Sequence, residues 1–362
     1  MYEDEELQLG QDAGEQRVHG RARENGLVQR LRGSYLELGE RRPARVLVGF
    51  SGGADSLALL SLLADLGRHE GFEVRAVHVD HGVRDESSTD AEAVRSVADS
   101  LGVELEVRIV PVDSLNRHAG VGREETMRRE RYRIFAETVA EVGVDVVALA
   151  HHQRDQAETV LLHLLRGSGI RGASGMRPVT TITVPWWAGD PVRRDSQKLH
   201  VWRPLLGESA DDVRTYAESL RFSIVEDVSN DDVSYRRNAI RHDVLPVLDR
   251  VVPGAMRNLA RFAGLVATDS DELDRQARAA LGGAGQGSEL DRLWVIDLPL
   301  AIRRRVLQFW ITGNAPAGLE VSLNRVDEVL RVASVKDRPR VVEIGLGVSV
   351  KITQDVITML RQ

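Results

Sequence analysis

The chain has 362 residues, of which 42% are hydrophobic and 28% are charged, and its formal net charge is −7. A chain of this length and composition can bury at least one sizeable core, and we expect it to fold as two domains. It contains no cysteine, which excludes disulfides, thiolate metal sites, iron–sulfur clusters and thiol nucleophiles.

The N-terminal segment is acidic. The first fifteen residues contain six acids, no base and no apolar run, which is unlike a signal or transit peptide. We therefore expect residues 1–20 to form an acidic flexible tail and the protein to work in the cytoplasm. No segment approaches the roughly 18 consecutive apolar residues of a membrane helix, so we expect no membrane partner.

From about Arg45 to Asp155, short β-branched apolar runs alternate with longer segments of helical periodicity. The clearest helical segment runs from Ser56 to Leu66 and is rich in leucine. The strands predicted by this pattern are Val46–Phe50, Val74–Val79, Glu104–Val110 and Asp145–Ala150. Such alternation predicts an α/β domain with a doubly wound, mostly parallel sheet.

The first predicted strand leads directly into the string Ser51-Gly52-Gly53-Ala54-Asp55-Ser56 and then into the leucine-rich helix. A strand, a glycine turn and a helix N-terminus form an anion-binding arrangement, in which backbone amides and serine hydroxyls can contact phosphate. A carboxylate beside a phosphate needs a bridging cation, and we expect Asp55 to bind Mg²⁺ through the phosphates of the ligand. No G-K-[ST] string occurs, so this is not the lysine-bearing phosphate loop.

Later elements are less regular. The stretch Thr180–Trp202, which includes Trp186 and Trp187, is interpreted as a hairpin or an irregular insertion. A helix capped by Ser209 follows, and a long helix begins near Pro253. We place a domain boundary there, with residues 21–253 as the ATP-binding catalytic domain and residues 254–362 as a smaller helical domain. The alternation over Arg340–Leu360 predicts a terminal β unit.

The segment from Arg236 to Arg261 carries six arginines and two acids, a local formal charge of +4 that contrasts with the overall −7. Such a basic stripe suits an RNA backbone, and Arg303-Arg304-Arg305 beside Trp310 extends it along the sequence. A solvated helix face is the alternative for any charge run.

Several strings occur in the order found in one known family. The loop string resembles the SGGxDS loop of the pyrophosphatase-loop ATPases, which split ATP between its α- and β-phosphates. The strings downstream resemble those of the tRNA(Ile)-lysidine synthetases over most of the chain. They are His78 to Arg84 (HVDHGVR), Arg128 to Tyr132 (RRERY), Ala150 to Thr159 (AHHQRDQAET), Arg166 to Gly169 (RGSG), Arg203 to Leu206 (RPLL), Glu226-Asp227 with Ser229-Asn230, and Arg237 to Arg241 (RNAIR).

This resemblance implies an adenine nucleotide alpha hydrolase-like fold and a ligase that joins free L-lysine to carbon 2 of the wobble cytidine of isoleucine tRNA with a CAU anticodon. ATP is split to AMP and pyrophosphate with Mg²⁺, through an adenylated cytidine. A homodimer is left open, as are the elements by which the tRNA is recognised. The resemblance also implies a reduced version of the further tRNA-binding domain that longer members carry.

Residue roles follow from the resemblance together with the chemistry. Asp155 and Glu158, at i and i+3 on one helix face, are expected to hold the ammonium groups of lysine or to assist deprotonation of its ε-amine. Arg128, Arg237 and Arg241 are expected to neutralise phosphate groups. His78 and His81 follow a predicted strand where a doubly wound sheet binds nucleotide, and either adenosine contacts or ordinary loop histidines fit that position.

Arg154 and Ala150 depart from the family pattern, which has aspartate and glycine there. We expect Arg154 to lie at the rim of the site, about 100° around the helix from Asp155. The alternative is an RNA-binding protein that has lost catalysis. A tRNA sulfurtransferase is excluded in self-contained form by the absence of cysteine, and no nucleophile-bearing domain of a glutamine-dependent synthetase is visible.

Overall fold

The protein is described from a computed structural model. It describes residues 26–80, 87–111, 114, 118, 122–184, 197–222, 236–283, 287–315, 319, 321–335 and 339–361. The chain divides into two compact units, one ending at Gly264 and the other beginning at Leu265. This division falls inside a helix, Ala255–Gly283. The boundary near Pro253 stays a prediction.

The first unit is built on a six-stranded sheet of order β3-β2-β1-β4-β6-β5, in which only the β5–β6 pair is antiparallel. Its strands are β1 (Arg45–Gly49), β2 (Glu73–Asp80), β3 (Glu104–Ile109), β4 (Val146–Ala148), β5 (Val179–Val184) and β6 (Gln197–Trp202). The predicted α/β class and all four predicted strands are confirmed, with ends shifted by one or two residues. The predicted hairpin is the β5–β6 pair, whereas Trp186 and Trp187 lie outside the described residues.

Helices cover both faces of this sheet. The helices that begin in the first unit are α1 (26–36), α2 (Ala54–Glu70), α3 (Ser87–Leu101), α4 (Arg123–Val142), α5 (Gln153–Leu165), α6 (Ile170–Ala173), α7 (Ala210–Ser219), α8 (Arg236–Ala239), α9 (Leu245–Val251) and α10 (Ala255–Gly283), with a π-helical segment at Ile240–Val244. Ser209 caps α7 as predicted, since its hydroxyl accepts the N–H of Asp212 at 3.0 Å.

The core shows why the apolar runs form strands buried on both faces. Along β1, Val46 and Val48 pack on one side with α2 and α7, whereas Leu47 packs on the other side with Tyr132 and Phe135 of α4. Side chains of successive residues in a strand point to opposite faces, so a continuous apolar run fits a sheet that is covered twice.

The second unit contains an antiparallel sheet of order β7-β10-β9-β8 with three further helices. These elements are β7 (Glu289–Asp291), α11 (Arg292–Asp297), α12 (Leu300–Asn314), α13 (Leu323–Ala333), β8 (Arg340–Gly345), β9 (Val348–Ile352) and β10 (Val356–Arg361). The predicted terminal β unit is confirmed as β8–β10. The short strand β7 joins it from a distant part of the sequence.

The predicted extension of the basic stripe into this unit is wrong. Trp310 is buried, and its indole N–H donates to the carbonyl oxygen of Gly287 at 2.9 Å. Arg304 pairs with Asp327 at 2.7 Å and Arg305 pairs with Asp274 at 2.8 Å. These side chains therefore serve packing and ion pairing within the unit.

Among the helices of the described residues, none combines the length and apolarity that crossing a membrane demands.

Candidate active site

The loop between β1 and α2 has the backbone form that an anion-binding turn requires. Gly52 has φ 88°, in the left-handed region that favours glycine. The hydroxyl of Ser56 donates to the carbonyl oxygen of Gly53 at 2.9 Å, and the N–H of Ser51 donates to that hydroxyl at 3.2 Å. Gly53 caps α2 without a side chain, so the first-turn amides of α2 are open to a ligand.

A second helix begins at the same edge of the sheet. Strand β4 lies beside β1, but between them the chain passes through β2 and β3 on the other side of β1. The gap between β1 and β4 is thus the point where the strand order reverses, and such points bind ligands in doubly wound sheets. The N-terminus of α5 is fixed there because the N–H of Gln153 donates to the carbonyl oxygen of Glu208 at 2.9 Å.

His152 connects the two helix starts. Its side chain is 1% exposed, with Nε2 3.4 Å from Asp55 Oδ2 and Nδ1 3.2 Å from Asp155 Oδ2. Both are ion-pair contacts and not aligned hydrogen bonds. Burial lowers the pKa of His152, but its contact with Asp55 and the charges of Asp55 and Asp155 outweigh burial and raise that pKa above its ordinary value.

His152 was not among the predicted site residues. Its signal was the string His151-His152, which ends three residues before Asp155. Because the positive form of His152 is favoured, it can neutralise part of the charge of Asp55 and Asp155.

Asp155 is fixed at the third position of α5. Its Oδ2 accepts the backbone N–H of His152 at 3.0 Å, which closes the first turn of the helix. Burial alone would raise the pKa of Asp155, but the neighbouring charges of His152 and Arg237 help to hold it well below its usual range. Asp155 is therefore ionised at neutral pH.

Glu158 lies one turn later and is fully buried. Its Oε2 accepts from Nε of Arg237 at 2.7 Å, and its Oε1 accepts from Nε of Arg241 at 2.6 Å. The Nη2 atoms of the two arginines reach Asp155 Oδ1 at 3.2 and 3.3 Å. We call these four residues, Asp155, Glu158, Arg237 and Arg241, the carboxylate–arginine cluster.

The π-helical segment brings the arginines to this cluster. Arg237 lies in α8 and Arg241 in the π segment Ile240–Val244, while Ile240 is buried with Ala157 in a small apolar core. Two side chains four residues apart can thereby grip one carboxylate from the same side. Of the six arginines in the predicted stripe, two are consequently directed to acids and not to an RNA surface.

The remaining predicted residues have different surroundings. His78 is buried at the end of β2, and its Nδ1 lies 2.9 Å from the carbonyl oxygen of Phe50. His81 lies outside the described residues. Arg128 is exposed on α4, donates to Glu125 at 2.7 Å and lies 5.7 Å from the ring centroid of Tyr132. These contacts of Arg128 are with its own helix and not with the carboxylate–arginine cluster.

His151 is a second residue of this region that was not among the predicted site residues. The pKa of His151 is lowered to about 3, chiefly by desolvation. The charges of Arg203 and Arg237 also lower this pKa, whereas the charge of Asp155 raises it. Its imidazole is therefore neutral at neutral pH. Its Nδ1 is buried and has no hydrogen-bond partner among the described residues, which leaves a polar atom for a ligand.

Arg154 lies in the first turn of α5 and is partly exposed, and its charge lowers the pKa of His152. Its guanidinium is not part of the carboxylate–arginine cluster. Its Nε atom is buried and has no hydrogen-bond partner among the described residues.

We expect Arg154→Asp to keep the rate of product formation within about tenfold of the wild type, which corresponds to about 1.4 kcal/mol. The reason is that Asp155 keeps its own contacts and an acid in the first helical turn is favourable. Steady-state rates of both proteins check this. A wild type without activity, together with an active Arg154→Asp variant, would instead identify the chain as a degenerate RNA-binding protein.

Over the part of the chain that the structure describes, no group of three or more histidines and acids is arranged to hold a metal ion by itself.

Comparison with known proteins places this geometry in a family. The model of the PP-loop domain family matches residues 27–248. A tRNA(Ile)-lysidine synthase of Chromobacterium violaceum is 39% identical over 267 residues, which are 73% of this chain and 56% of that protein. A tRNA(Ile)-lysidine synthase of Salinispora tropica is 37% identical over 293 residues, which are 80% of this chain and 82% of that protein.

Among solved structures, the U34-tRNA thiolase NcsA of Methanococcus maripaludis matches with a TM-score of 0.52 and 16% identity, over 68% of this chain and 80% of that one. At that identity the match supports the fold alone. The chain spans little more than half the length of the Chromobacterium protein, whereas it spans four fifths of the Salinispora protein.

Proposed function

This chain belongs to the tRNA(Ile)-lysidine synthase family of PP-loop proteins, and from that premise we propose that it ligates free L-lysine to the wobble cytidine of isoleucine tRNA at the expense of ATP. The observation that carries this proposal is the arrangement at the switch point of the sheet. There the phosphate loop and the carboxylate–arginine cluster are linked by His152 through contacts of 3.4 and 3.2 Å. ATP and an amine substrate would therefore meet at one place.

The phosphate loop would hold the β- and γ-phosphates of ATP with the amides of Gly52 and Gly53 and the hydroxyls of Ser51 and Ser56. The side chain of Asp55 is 43% exposed at this loop, and an oxygen ligand of this kind suits Mg²⁺. Mg²⁺ would supply charge neutralisation for the departing pyrophosphate. Asp55 and His152 would orient the phosphates of ATP at the loop.

Asp155 is the better direct partner for a lysine ammonium. Its side chain is 13% exposed, whereas Glu158 is fully buried and already accepts from both arginines. Because the pKa of Asp155 is held low, this carboxylate is suited to holding a positive charge and is a weak general base. Glu158 would act mainly by fixing the two guanidinium groups.

The arginines can then bind the α-carboxylate of lysine, which is on the same carbon as the α-ammonium group held by Asp155. Their hydrogen bonds within the cluster use Nε and Nη2 of each guanidinium. Each guanidinium also carries an Nη1 group, which can donate to the α-carboxylate of lysine or to the transferring phosphoryl group. An anchored carboxylate and ammonium would leave the ε-amine extended towards the base.

The reaction would proceed in two displacements. The carbonyl oxygen at carbon 2 of the cytidine attacks the α-phosphorus of ATP, and pyrophosphate leaves. The ε-amine of lysine, after losing a proton, then attacks carbon 2, and AMP leaves. The preceding loss of the proton is required because a lysine amine is mostly protonated near neutrality.

An RNA surface would be formed by those arginines of the stripe that are not used in the cluster. Arg236, Arg250, Arg257 and Arg261 are exposed. Within the described residues, Arg257 and Arg261 take part in no ion pair, and they lie one turn apart on α10. Unpaired exposed arginines at this spacing can contact successive phosphates.

We expect the double variant Arg257→Gln/Arg261→Gln to bind tRNA more weakly. The slope of log affinity against log salt should flatten by roughly one to two units, at about 0.7–0.9 for each phosphate that is no longer neutralised. Filter binding at several salt concentrations measures both quantities. The matched control is Arg275→Gln/Arg325→Gln, because these exposed arginines already pair with acids one turn away. An unchanged slope in the test variant would make Arg257 and Arg261 a solvated face.

Exchange of labelled pyrophosphate into ATP tests the enzymatic proposal as a whole. We expect exchange that depends on tRNA and not on lysine, because the first displacement is reversible and precedes the entry of lysine into the reaction. A protein that only binds RNA would show no exchange with any tRNA.

A further inference from the structure

The first turns of α10 expose an aromatic side chain beside the arginines. Phe262 is 43% exposed, although a phenylalanine on an amphipathic helix is ordinarily buried. It lies in the first unit, next to Arg261 and one turn after Asn258, which is also exposed.

Helix geometry places these side chains on one surface. At about 100° per residue, Arg257, Arg261, Asn258 and Phe262 fall within an arc of about 140°. The buried residues Ala255 and Ala263 lie outside this arc, on the side that packs against the protein. We call the four exposed residues the α10 surface.

The charge on this surface has one sign. No acid occurs between Ala255 and Thr268, and the first one along the helix is Asp269. The entry to the helix is also fixed, because a carboxylate oxygen of Asp249 accepts the N–H groups of Gly254 and Ala255 at 2.9 and 3.2 Å. The surface therefore combines two cations, an amide and an aromatic ring on a well-anchored helical turn.

We propose that the α10 surface binds an unpaired stretch of tRNA, with the ring of Phe262 stacked on a base while Arg257 and Arg261 contact the flanking phosphates. The proposal rests on the function proposed above and adds a base contact to it. Stacking on aromatic rings together with basic side chains is how proteins bind single-stranded nucleic acid. Asn258, one turn before Phe262, can donate to or accept from the edge of the same base.

A protein partner fits this surface less well. A stable protein interface buries roughly 800 Å² on each partner around an apolar centre. Phe262 is the one apolar member of the α10 surface, and even together with Leu265, which is exposed three residues later, it offers far less apolar area. The unbalanced positive charge instead complements a phosphate backbone.

The test separates stacking from charge. Phe262→Ala in the full chain is expected to weaken binding of the tRNA transcript by about tenfold, because stacking contributes roughly 1–3 kcal/mol per base. The salt slope should stay unchanged, because both arginines still neutralise their phosphates. Phe262→Trp should restore affinity to within about twofold, since it keeps a stacking surface. Leu36→Ala is the matched control, because Leu36 is 45% exposed on α1.

A fully paired RNA duplex of equal length provides the second comparison. Its bases are not open to a protein ring, so Phe262→Ala should bind it as the wild type does. Unchanged tRNA affinity of Phe262→Ala would overturn the stacking proposal, as would equal losses for tRNA and duplex. A shift in oligomeric state with unchanged tRNA affinity would assign the surface to a contact between copies. Pyrophosphate exchange by the wild type is measured in parallel, so failure of the proposed function is seen independently.

Discussion

Replacing Asp55 with alanine should abolish AMP formation while the protein remains folded. Asp55 is the one carboxylate of the phosphate loop and contacts His152, and 43% of its side chain is exposed, so little packing is lost. Loss of a group that stabilises developing charge costs on the order of 10²–10³-fold in rate. AMP release in the presence of tRNA and lysine measures the effect, and thermal unfolding measures the fold.

The matched control for this variant is Asp65→Ala on the same helix. Asp65 is exposed and pairs with Arg68 one turn away, so its loss should leave AMP formation unchanged. Near-normal turnover by Asp55→Ala would remove the phosphate loop from the mechanism.

Replacing Glu158 with glutamine should separate the two displacements. Glutamine removes the charge that holds both guanidinium groups, so lysine would no longer be positioned for attack. The attack of cytidine on ATP should be impaired less than the attack of lysine, so adenylated tRNA should accumulate while lysine incorporation falls by at least about 100-fold. Quenched single-turnover reactions that resolve adenylated tRNA from lysidine-containing tRNA measure this.

Stability has to be measured beside these rates. Breaking a buried ion pair by removing one partner costs about 3–5 kcal/mol, and the lower end applies because Arg237 and Arg241 keep 31% and 21% exposure. Glu130→Gln is the matched control, since Glu130 is equally buried and pairs with Arg133 on α4. It should lose stability without accumulating adenylated tRNA.

If Glu158→Gln does not fold, Asp155→Asn provides the same test with fewer buried contacts at risk. Asp155 is the carboxylate that we propose holds the lysine ammonium, so its loss should also block the second displacement. Failure of adenylated tRNA to accumulate in either folded variant would contradict the roles assigned to Asp155 and Glu158.

The parts of the fold that the sequence predicted are those specified by local pattern. The run at Val46 is apolar and the run at Val74 has valine at three of six positions, so both favour strands from local sequence alone. The string from Ser51 to Ser56 needs only a glycine turn before a helix, and Gly52 adopts the positive φ that this turn requires. The cap at Ser209 depends on one hydroxyl and one amide three residues away.

The contacts that the sequence did not reveal join residues far apart in the chain. Arg237 meets Glu158 across 79 positions, and Arg241 meets it across 83. Their approach depends on a π-helical segment and on burial of Ile240, which no local periodicity encodes. A charge count could therefore not distinguish these two arginines from exposed ones such as Arg257.

The same dependence on partners far apart in the sequence explains the wrong prediction for Arg303 to Arg305 and the missing prediction for His152. The run from Arg303 to Arg305 looks like a basic surface until the partner acids Asp327 and Asp274 are located. The bridging position of His152 became visible only when β1 and β4 were found side by side.

Incorporation of labelled lysine into tRNA tests the central claim most directly. The purified chain, ATP, Mg²⁺ and labelled L-lysine are incubated with an isoleucine tRNA transcript that carries the CAU anticodon, and with a transcript in which uridine replaces the wobble cytidine. We expect one lysine per cytidine-bearing tRNA, with one AMP and one pyrophosphate released for each, and no label on the uridine variant. Binding of the tRNA without lysine incorporation or AMP release, or equal labelling of both transcripts, would contradict the account.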